Sequence, residues 1–386
     1  MSETARPPIP YGMPWLSAAE REAAAQVLAG PILTHGPQGN AFAKEFAAFL
    51  GGGTCVTTSS CMASLHLAAL HLGLKPGDEV IVPAQTHVAT VHAVEICGAT
   101  PVFVDCRPET GNIDPDSIRA AVTPRTRAII LVHFIGIPAA MDEIMAIAGR
   151  HGLTVVEDCA TGVGSRWHGT HVGLVGDIGC FSFYPTKHMT TAEGGMFVSR
   201  HDMIAHRVER LRAFHVDRSY AERTMPGLYD VNGVGLNYRM SEVHAAIGRA
   251  QLGRIDDILG RRRANFDRLK QGIGGLAGLR VLDNRDPASI LSPYTFSVVL
   301  LDRLAARRDD LARRLNAAGI GTSVHYPHPV PRLQYYRDKY GYDPARFPHA
   351  AEISDCSINL PVGPHVDRDA AEYIVETFKS VLGALS

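Results

Sequence analysis

Residues 55–105 read CVTTSSCMASLHLAALHLGLKPGDEVIVPAQTHVATVHAVEICGATPVFVD. Three short apolar runs, CVTT, DEVIVPA and TPVFVD, alternate with two stretches that are apolar at helical spacing, CMASLHLAALHLGL and THVATVHAVEICGA. Strands that are apolar throughout, separated by amphipathic helices, predict a parallel sheet covered on both faces. The alternation continues through DPDSIRAAV, RAIILVHF, AAMDEIMAIAGRHG and LTVVEDCA, and GDIGCFSF and GGMFVS add two strand candidates. Repeated β-α units of this kind build an α/β layered domain.

Past residue 240 the texture changes. SEVHAAIGRAQLGRIDDILGRRRANFDRLKQGI reads as a long amphipathic helix with a basic face, leaving the first domain. PYTFSVVL, LDRLAARRDDLARRLNAAG, GTSVHY, CSINLP and DRDAAEYIVETFKSVLG then suggest a smaller α+β unit. The expected division is a large α/β domain over 1–255 and a small C-terminal α+β domain over 256–386.

Composition narrows the function classes. The 386 residues are 46% hydrophobic and 20% charged, ordinary for a globular protein. The formal net charge is −1, which gives no electrostatic pull toward nucleic acid or an anionic membrane. No apolar run approaches the ~20 residues of a membrane span. The opening MSETARPPIPYGMPWLS lacks the charged-then-apolar layout of an export signal, so a cytoplasmic protein is expected. Seven cysteines without a C-x-x-C pair read as reduced core thiols, and the 18 histidines show no metal-ligand spacing, so no metal is expected.

Ligands of open α/β sheets bind beyond the carboxyl ends of the strands. Three loops there carry chemistry. TTSSCMAS, at 57–64, places Ser and Thr at a helix start, where free N–H groups bind phosphate; an ordinary N-cap explains the same residues. VVEDCA, at 155–160, puts Glu157 and Asp158 after an apolar strand, where an acid can hold a protonated ring nitrogen, bind a metal or cap a helix. FSFYPTKHMTTAEGGMF, at 181–197, places Lys187 in a mostly apolar stretch. The chain has only six lysines against 32 arginines, so a lysine here is pointed. An amine that attacks a carbonyl works best partly desolvated. Lysine, an acid and a helix-start phosphate site are together the parts of a pyridoxal 5′-phosphate (PLP) site.

The chain resembles the DegT/DnrJ/EryC1/StrS family of sugar aminotransferases, within the fold-type I PLP enzymes. IPYGMPWLS, PGDEVIVPAQTHVAT, GNIDPDSIRAAVTPRTRAII, GDIGCFSFYPTKHMTTAEGG, GLNYRMSEVHAAIGRAQL and VHYPHPV are similar to family blocks nearly end to end. The resemblance implies that Lys187 forms the Schiff base and later moves the proton, that Asp158 pairs with the ring nitrogen, and that Ser182 binds the phosphate. Asn237 would reach the phosphate of the other subunit, with Arg239 nearby, in a homodimer whose active sites lie at the interface. Ser60, Cys61, Met62, His87 and Thr161 complete the implied cofactor set. Tyr11, His188, Arg239 and His325 form the implied substrate set, and residues 1–20 contribute to the site.

Several positions depart from the family pattern. Ser60-Cys61-Met62 stands for Ser-Gly-Thr, His87 for an aromatic ring, Thr161 for Gln and His244 for Gln. They suggest an unusual acceptor. The implied reaction moves an amino group from an amino acid, L-glutamate, to a keto-sugar, in surface-polysaccharide, lipopolysaccharide or secondary-metabolite amino-sugar biosynthesis. The acceptor is either nucleotide-linked or a higher sugar acid such as 8-keto-octulosonate. Two rivals remain: a PLP/PMP-dependent deoxysugar dehydratase, with His188 one residue from the Schiff-base position, and a non-catalytic PLP-binding regulatory protein. A nicotinamide oxidoreductase is remote, because GGGTC at 51–55 precedes a strand where a dinucleotide fingerprint follows one.

Overall fold

A computed structural model describes residues 6–218, 225 and 227–385; residues 1–5 of the expected 1–20 segment, and residues 219–224 and 226 of the expected large domain, lie outside them. Two helices, α1 (Ala18–Leu28) and α2 (Pro37–Leu50), precede strand β1 (Thr54–Thr58). Alternating units follow: α3 (Cys61–His71), β2 (Glu79–Pro83), α4 (Val88–Ile96), β3 (Thr100–Val104), α5 (Pro115–Ala121), β4 (Thr126–Val132), α6 (Met141–His151) and β5 (Thr154–Asp158). A small ribbon, β6 (Arg166–Trp167) and β7 (Thr170–His171), leads to β8 (Ile178–Ser182), β9 (Gly195–Ser199) and α7 (Asp202–Leu211).

These strands form one seven-stranded sheet in the order β1-β9-β8-β5-β4-β2-β3. The pairs β3/β2, β2/β4, β4/β5 and β5/β8 are parallel, and β9 runs antiparallel to both β8 and β1. The mostly parallel α/β sheet expected from the apolar runs is what forms. β2, β8 and β9 are buried along their whole length, as strands covered on both faces should be.

The long basic helix expected after residue 240 is two helices, α8 (Glu242–Leu252) and α9 (Ile255–Ile273). The break falls at Gly253 and Arg254, whose φ of −129° leaves the helical region. Arg254 turns back onto the N-terminal segment. Its Nε lies 3.0 Å from Glu20, and its guanidinium carbon sits 4.2 Å from the Trp15 ring centroid. Those contacts supply what continued helix would have given. The first turn of α9 packs Ile255 and Ile258 with Phe42, Phe46, Phe181 and Phe183, whereas Phe266, Leu269 and Ile273 join the core around Phe296 and Val298.

The C-terminal part holds a three-stranded antiparallel sheet, β10 (Leu279–Val281), β11 (Phe296–Leu300) and β12 (Ser357–Leu360). Around it lie α10 (Arg308–Ala317), α11 (Gln334–Tyr340), α12 (Pro348–Cys356) and α13 (Arg368–Gly383). GTSVHY, which carries His325, adds only an isolated bridge, Ser323 to Asn359. Among the described residues no helix is long and apolar enough to cross a membrane.

Candidate active site

The carboxyl ends of β1, β5 and β8 meet at one edge of the large sheet. Thr58, Gly195 and Ser182 share a row of the ladder, and Asp158 pairs with Cys180 on β8 and Val132 on β4. The loop from β8 to β9 starts and ends at this row, and Lys187 lies in it. The Lys187 N–H donates to the Tyr184 carbonyl at 2.9 Å, which closes a tight turn. Its Nζ sits 4.8 Å from the Tyr294 ring centroid, a cation–π contact.

Asp158 is 4% exposed and ends β5. Thr90 Oγ1 donates to its Oδ2 at 2.8 Å, while the Ala160 N–H at 3.0 Å and the Cys61 thiol at 3.8 Å point to Oδ1. Among the described residues no cationic side chain pairs with it. An ionised carboxylate buried without a cation is half of an interaction.

Beside it, Ser60 caps α3 and its Oγ accepts from the Ala63 N–H at 3.1 Å. The first N–H groups of a helix have no intrahelical acceptor, so Cys61 and Met62 present theirs outward. A Cβ on Gly195 would lie 2.4 Å from the Ser60 carbonyl carbon and 2.7 Å from the Cys61 nitrogen, so only glycine lets β9 pass beneath the helix start. Ser182, 8% exposed, sits across the ladder from this glycine.

The opposite wall is aromatic. The N-terminal segment docks on residues 319–321 through Ile9, whose N–H donates to the Gly319 carbonyl and whose carbonyl accepts from Gly321, both at 2.8 Å. This brings Tyr11 Oη to 2.6 Å from His325 Nε2. His325 stands 5.5 Å from Tyr294 and 5.3 Å from Tyr326, ring to ring, and Tyr326 stands 5.4 Å from His87. Burial, with the charges of Lys187 and His87, pushes the His325 pKa down to about 3. Burial also lowers that of His87, with Asp158 opposing and Lys187 adding to the shift. The Tyr11 phenol is held well above its ordinary range, first by burial and then by Tyr294. Lys187, Asp158, His87, His325 and Tyr11 therefore share one electrostatic neighbourhood.

Two of the expected side chains, His188 and Thr161, bond to the protein's own backbone. His188 follows Lys187 in sequence but turns inward: it is 3% exposed, its Nε2 lies 3.3 Å from the Ser292 carbonyl, and burial drives its pKa well down. Thr161 donates its hydroxyl to the His133 carbonyl at 3.0 Å and is 5% exposed, so it braces the backbone. The Cys61 side chain points at Asp158 and the Cys180 carbonyl, leaving only its N–H for the phosphate side. Asn237 is exposed and bridges to Ala213, Arg239 lies over Phe214 at 5.0 Å, and the Tyr238 carbonyl between them accepts from the Ser59 N–H at 2.8 Å. Met62 is half-buried on the first turn of α3.

Sequence reasoning missed Thr90, Tyr294 and Arg262. Arg262, 5% exposed on α9, donates to the carbonyls of Tyr294 at 3.1 Å and Lys187 at 3.2 Å. It ties the lysine loop to the tyrosine. Only the i,i+4 spacing of Thr86 and Thr90 carried a signal. The other two sit in segments that look purely structural.

Behind Asp158, ligand atoms of His133, Glu157 and Cys159 lie within 4.8 Å of one another. His133 and Glu157 lie in a closed hydrogen-bonded set. His133 Nδ1 accepts from the Ala139 N–H at 3.1 Å, so Nε2 carries the proton it donates to Glu157 at 2.8 Å. Glu157 also accepts from Gly173 at 2.8 Å and Gly176 at 2.6 Å. A cation there would have to displace all three donors.

Residues 14–379 match the model of the DegT/DnrJ/EryC1/StrS aminotransferase family, and the chain belongs to that family. It is 35% identical over 364 residues to a dTDP-3-amino-3,4,6-trideoxy-alpha-D-glucose transaminase of Streptomyces venezuelae, covering 94% of this chain and 92% of the relative. It is 35% identical over 372 residues to the GDP-perosamine synthase of Escherichia coli O157:H7, covering 96% and 97%. Spr1654 of Streptococcus pneumoniae, solved in PMP and PLP forms, superposes with TM-scores of 0.93 and 0.92 at 27% identity, covering 98% of this chain and 100% of that one. The protein is thus an aminotransferase of the fold-type I group, and PLP is its expected cofactor. The site's residues fit that group on their own evidence: Asp158 lacks a cation, and a glycine-undercut helix start faces the same loop edge as a lysine amine.

Proposed function

We propose that this chain transfers an amino group from L-glutamate to a nucleotide-linked keto-sugar. The observation that carries the reading is Asp158, a buried carboxylate with donors on both oxygens and no cation among the described residues, whose charge acts with that of Lys187 on His87. The two relatives named for dTDP- and GDP-linked sugars support a nucleotide-linked acceptor.

When bound, PLP supplies an aldehyde for amine attack and a ring that accepts electrons from the bond broken beside it. Lys187 would hold it. Asp158 would keep the proton on its ring nitrogen, and Ser60, Ser182 and the N–H groups opening α3 would take its phosphate. The amine of Lys187, when not bonded to the cofactor, would hold and move a proton at the reacting carbon, a role typically worth ~10²–10⁴-fold. Tyr294 orients that amine from below, and Arg262 fixes both loops. His87 would cover the ring. His325 stays neutral at working pH and, with Tyr11, offers hydrogen bonds to sugar hydroxyls without adding charge.

The assembly we propose is a homodimer in which the exposed Asn237 and the half-buried Arg239 serve the partner's site, divided in each chain into units 1–255 and 256–386. Seven free cysteines support a reducing, cytoplasmic setting. The dehydratase reading needs a histidine in the lysine's place, and inward-facing His188 does not provide it.

The test is spectroscopic. PLP-loaded protein should lose its visible absorbance on adding glutamate and regain it with the true acceptor. The panel spans dTDP- and GDP-linked keto-sugars and 8-keto-octulosonate. Recovery with 8-keto-octulosonate alone would replace the nucleotide-linked acceptor, and absorbance unmoved by any amino donor would end the transaminase reading.

A further inference from the structure

Asp158 is oriented by hydroxyls that lie outside the implied cofactor and substrate sets. Thr90 Oγ1 lies 2.8 Å from Asp158 Oδ2, and Thr86 Oγ1 lies 2.8 Å from Thr90 Oγ1. Both threonines are buried, Thr90 fully and Thr86 at 2% exposure, so water does not compete for either hydroxyl.

The protons can be assigned by elimination. Thr90 donates its single hydroxyl proton to Asp158 Oδ2. Thr90 then has only lone pairs left for its neighbour, so Thr86 must donate to Thr90. The chain of donation runs one way, from Thr86 through Thr90 to Asp158. A helical threonine ordinarily turns its hydroxyl back to a carbonyl of its own helix. Thr90 on α4 instead sends its proton across to β5. The opposite oxygen, Oδ1, is held by the Ala160 N–H at 3.0 Å and faced by the Cys61 thiol at 3.8 Å. With both oxygens pinned, the plane of the carboxylate is fixed.

We propose that Thr90, backed by Thr86, is a positioning residue that sets the orientation of the Asp158 carboxylate and through it the hold on the cofactor ring. This rests on the aminotransferase reading above. Thr90 touches neither substrate nor reacting atom. A valine at 90 keeps the shape, leaves Oδ2 without its hydroxyl and leaves Thr86 without its acceptor.

The test resolves and reloads the holoenzyme, titrating PLP while following the visible band, its wavelength, and the melting temperature of the cofactor-free protein. If the wild-type protein takes up no PLP, the functional reading itself fails. If it does, Thr90→Val should weaken PLP affinity roughly 10- to 100-fold, the range for a hydrogen bond to a charged group. It should also shift the band and lower kcat more than it raises KM for glutamate, while cofactor-free melting stays near wild type. Thr90→Ser, which keeps the hydroxyl, should recover to within a few-fold. Thr86→Val should lose less, about 2- to 5-fold, and it carries the test if Thr90→Val does not fold. PLP affinity and band position unchanged in Thr90→Val, or in Thr86→Val standing in for it, would overturn the proposal. So would a Thr90→Ser loss as large as that of Thr90→Val.

Discussion

Glu157 and Asp158 are neighbours on one strand, both carboxylates and both buried, yet the two faces of β5 treat them oppositely. Side chains alternate across a strand, so Glu157 points to the back and Asp158 to the front. At the back, Glu157 meets three donors, from His133, Gly173 and Gly176, and the circuit closes. At the front, Asp158 also meets three donors, from Thr90, Ala160 and the Cys61 thiol, but it shares a charge neighbourhood with Lys187 and His87 beside the open start of α3. The two carboxylates have the same number of donors and differ in company: a histidine and two backbone N–H groups at the back, the charges of Lys187 and His87 at the front. The difference teaches that a catalytic acid is recognised by the charges around it and not by its own hydrogen bonds.

That contrast can be broken most forcefully at the front. Lys187→Ala should abolish the visible band of the loaded protein and cut transamination by at least ~10²–10⁴-fold, with melting little changed. Asp158→Asn should reduce kcat by roughly 10²–10³-fold, the scale of removing one preorganised electrostatic partner, again with small effect on stability. Steady-state kinetics beside thermal melts reads both. Glu157→Gln should do the reverse. Its amide would turn donors toward N–H groups, costing roughly 2–4 kcal/mol of stability in denaturant unfolding, while the folded fraction keeps its turnover. Equal phenotypes for the Asn and Gln variants would erase the distinction between the faces.

Acid sharpens the picture at the back. His171 is buried, accepts from the Gly164 N–H at 2.9 Å through Nε2 and faces the Val172 carbonyl at 2.6 Å through Nδ1. Burial pushes its pKa down from 6.5 to about 4. Between those values the unfolded chain binds a proton that the folded chain refuses. Stability is therefore full above about pH 6.5 and falls as pH drops toward 4, by on the order of 3 kcal/mol from this group. His171→Gln should flatten that slope in urea unfolding between those pH values. The smallest effect belongs to Tyr11→Phe, which removes the bond to His325 and should raise KM for the sugar about 2- to 10-fold without moving KM for glutamate.

Much of the fold was legible because burial on both faces leaves a plain mark: apolar runs with helices between them. Lys187 and Asp158 were legible because charge at an apolar strand end is costly and conspicuous. Side-chain direction was not. His188 and Thr161 sit beside functional residues in sequence, but a turn and a strand end point them inward. Cys61 looked like part of the phosphate cradle, and its thiol faces the carboxylate instead. Tyr294 and Arg262 come from elements distant in sequence that only the tertiary fold brings under Lys187. The break between α8 and α9 was hidden because the amphipathic pattern continues across it. The contacts that pull Arg254 away belong to Trp15 and Glu20, more than 230 residues earlier.

The most direct measurement is covalent mapping. PLP-loaded protein is reduced with borohydride, digested and analysed by peptide mass spectrometry. The account predicts a pyridoxyl mass on Lys187 and on none of the other five lysines. A stable adduct on any other lysine, or none at all on protein that visibly binds PLP, would contradict it.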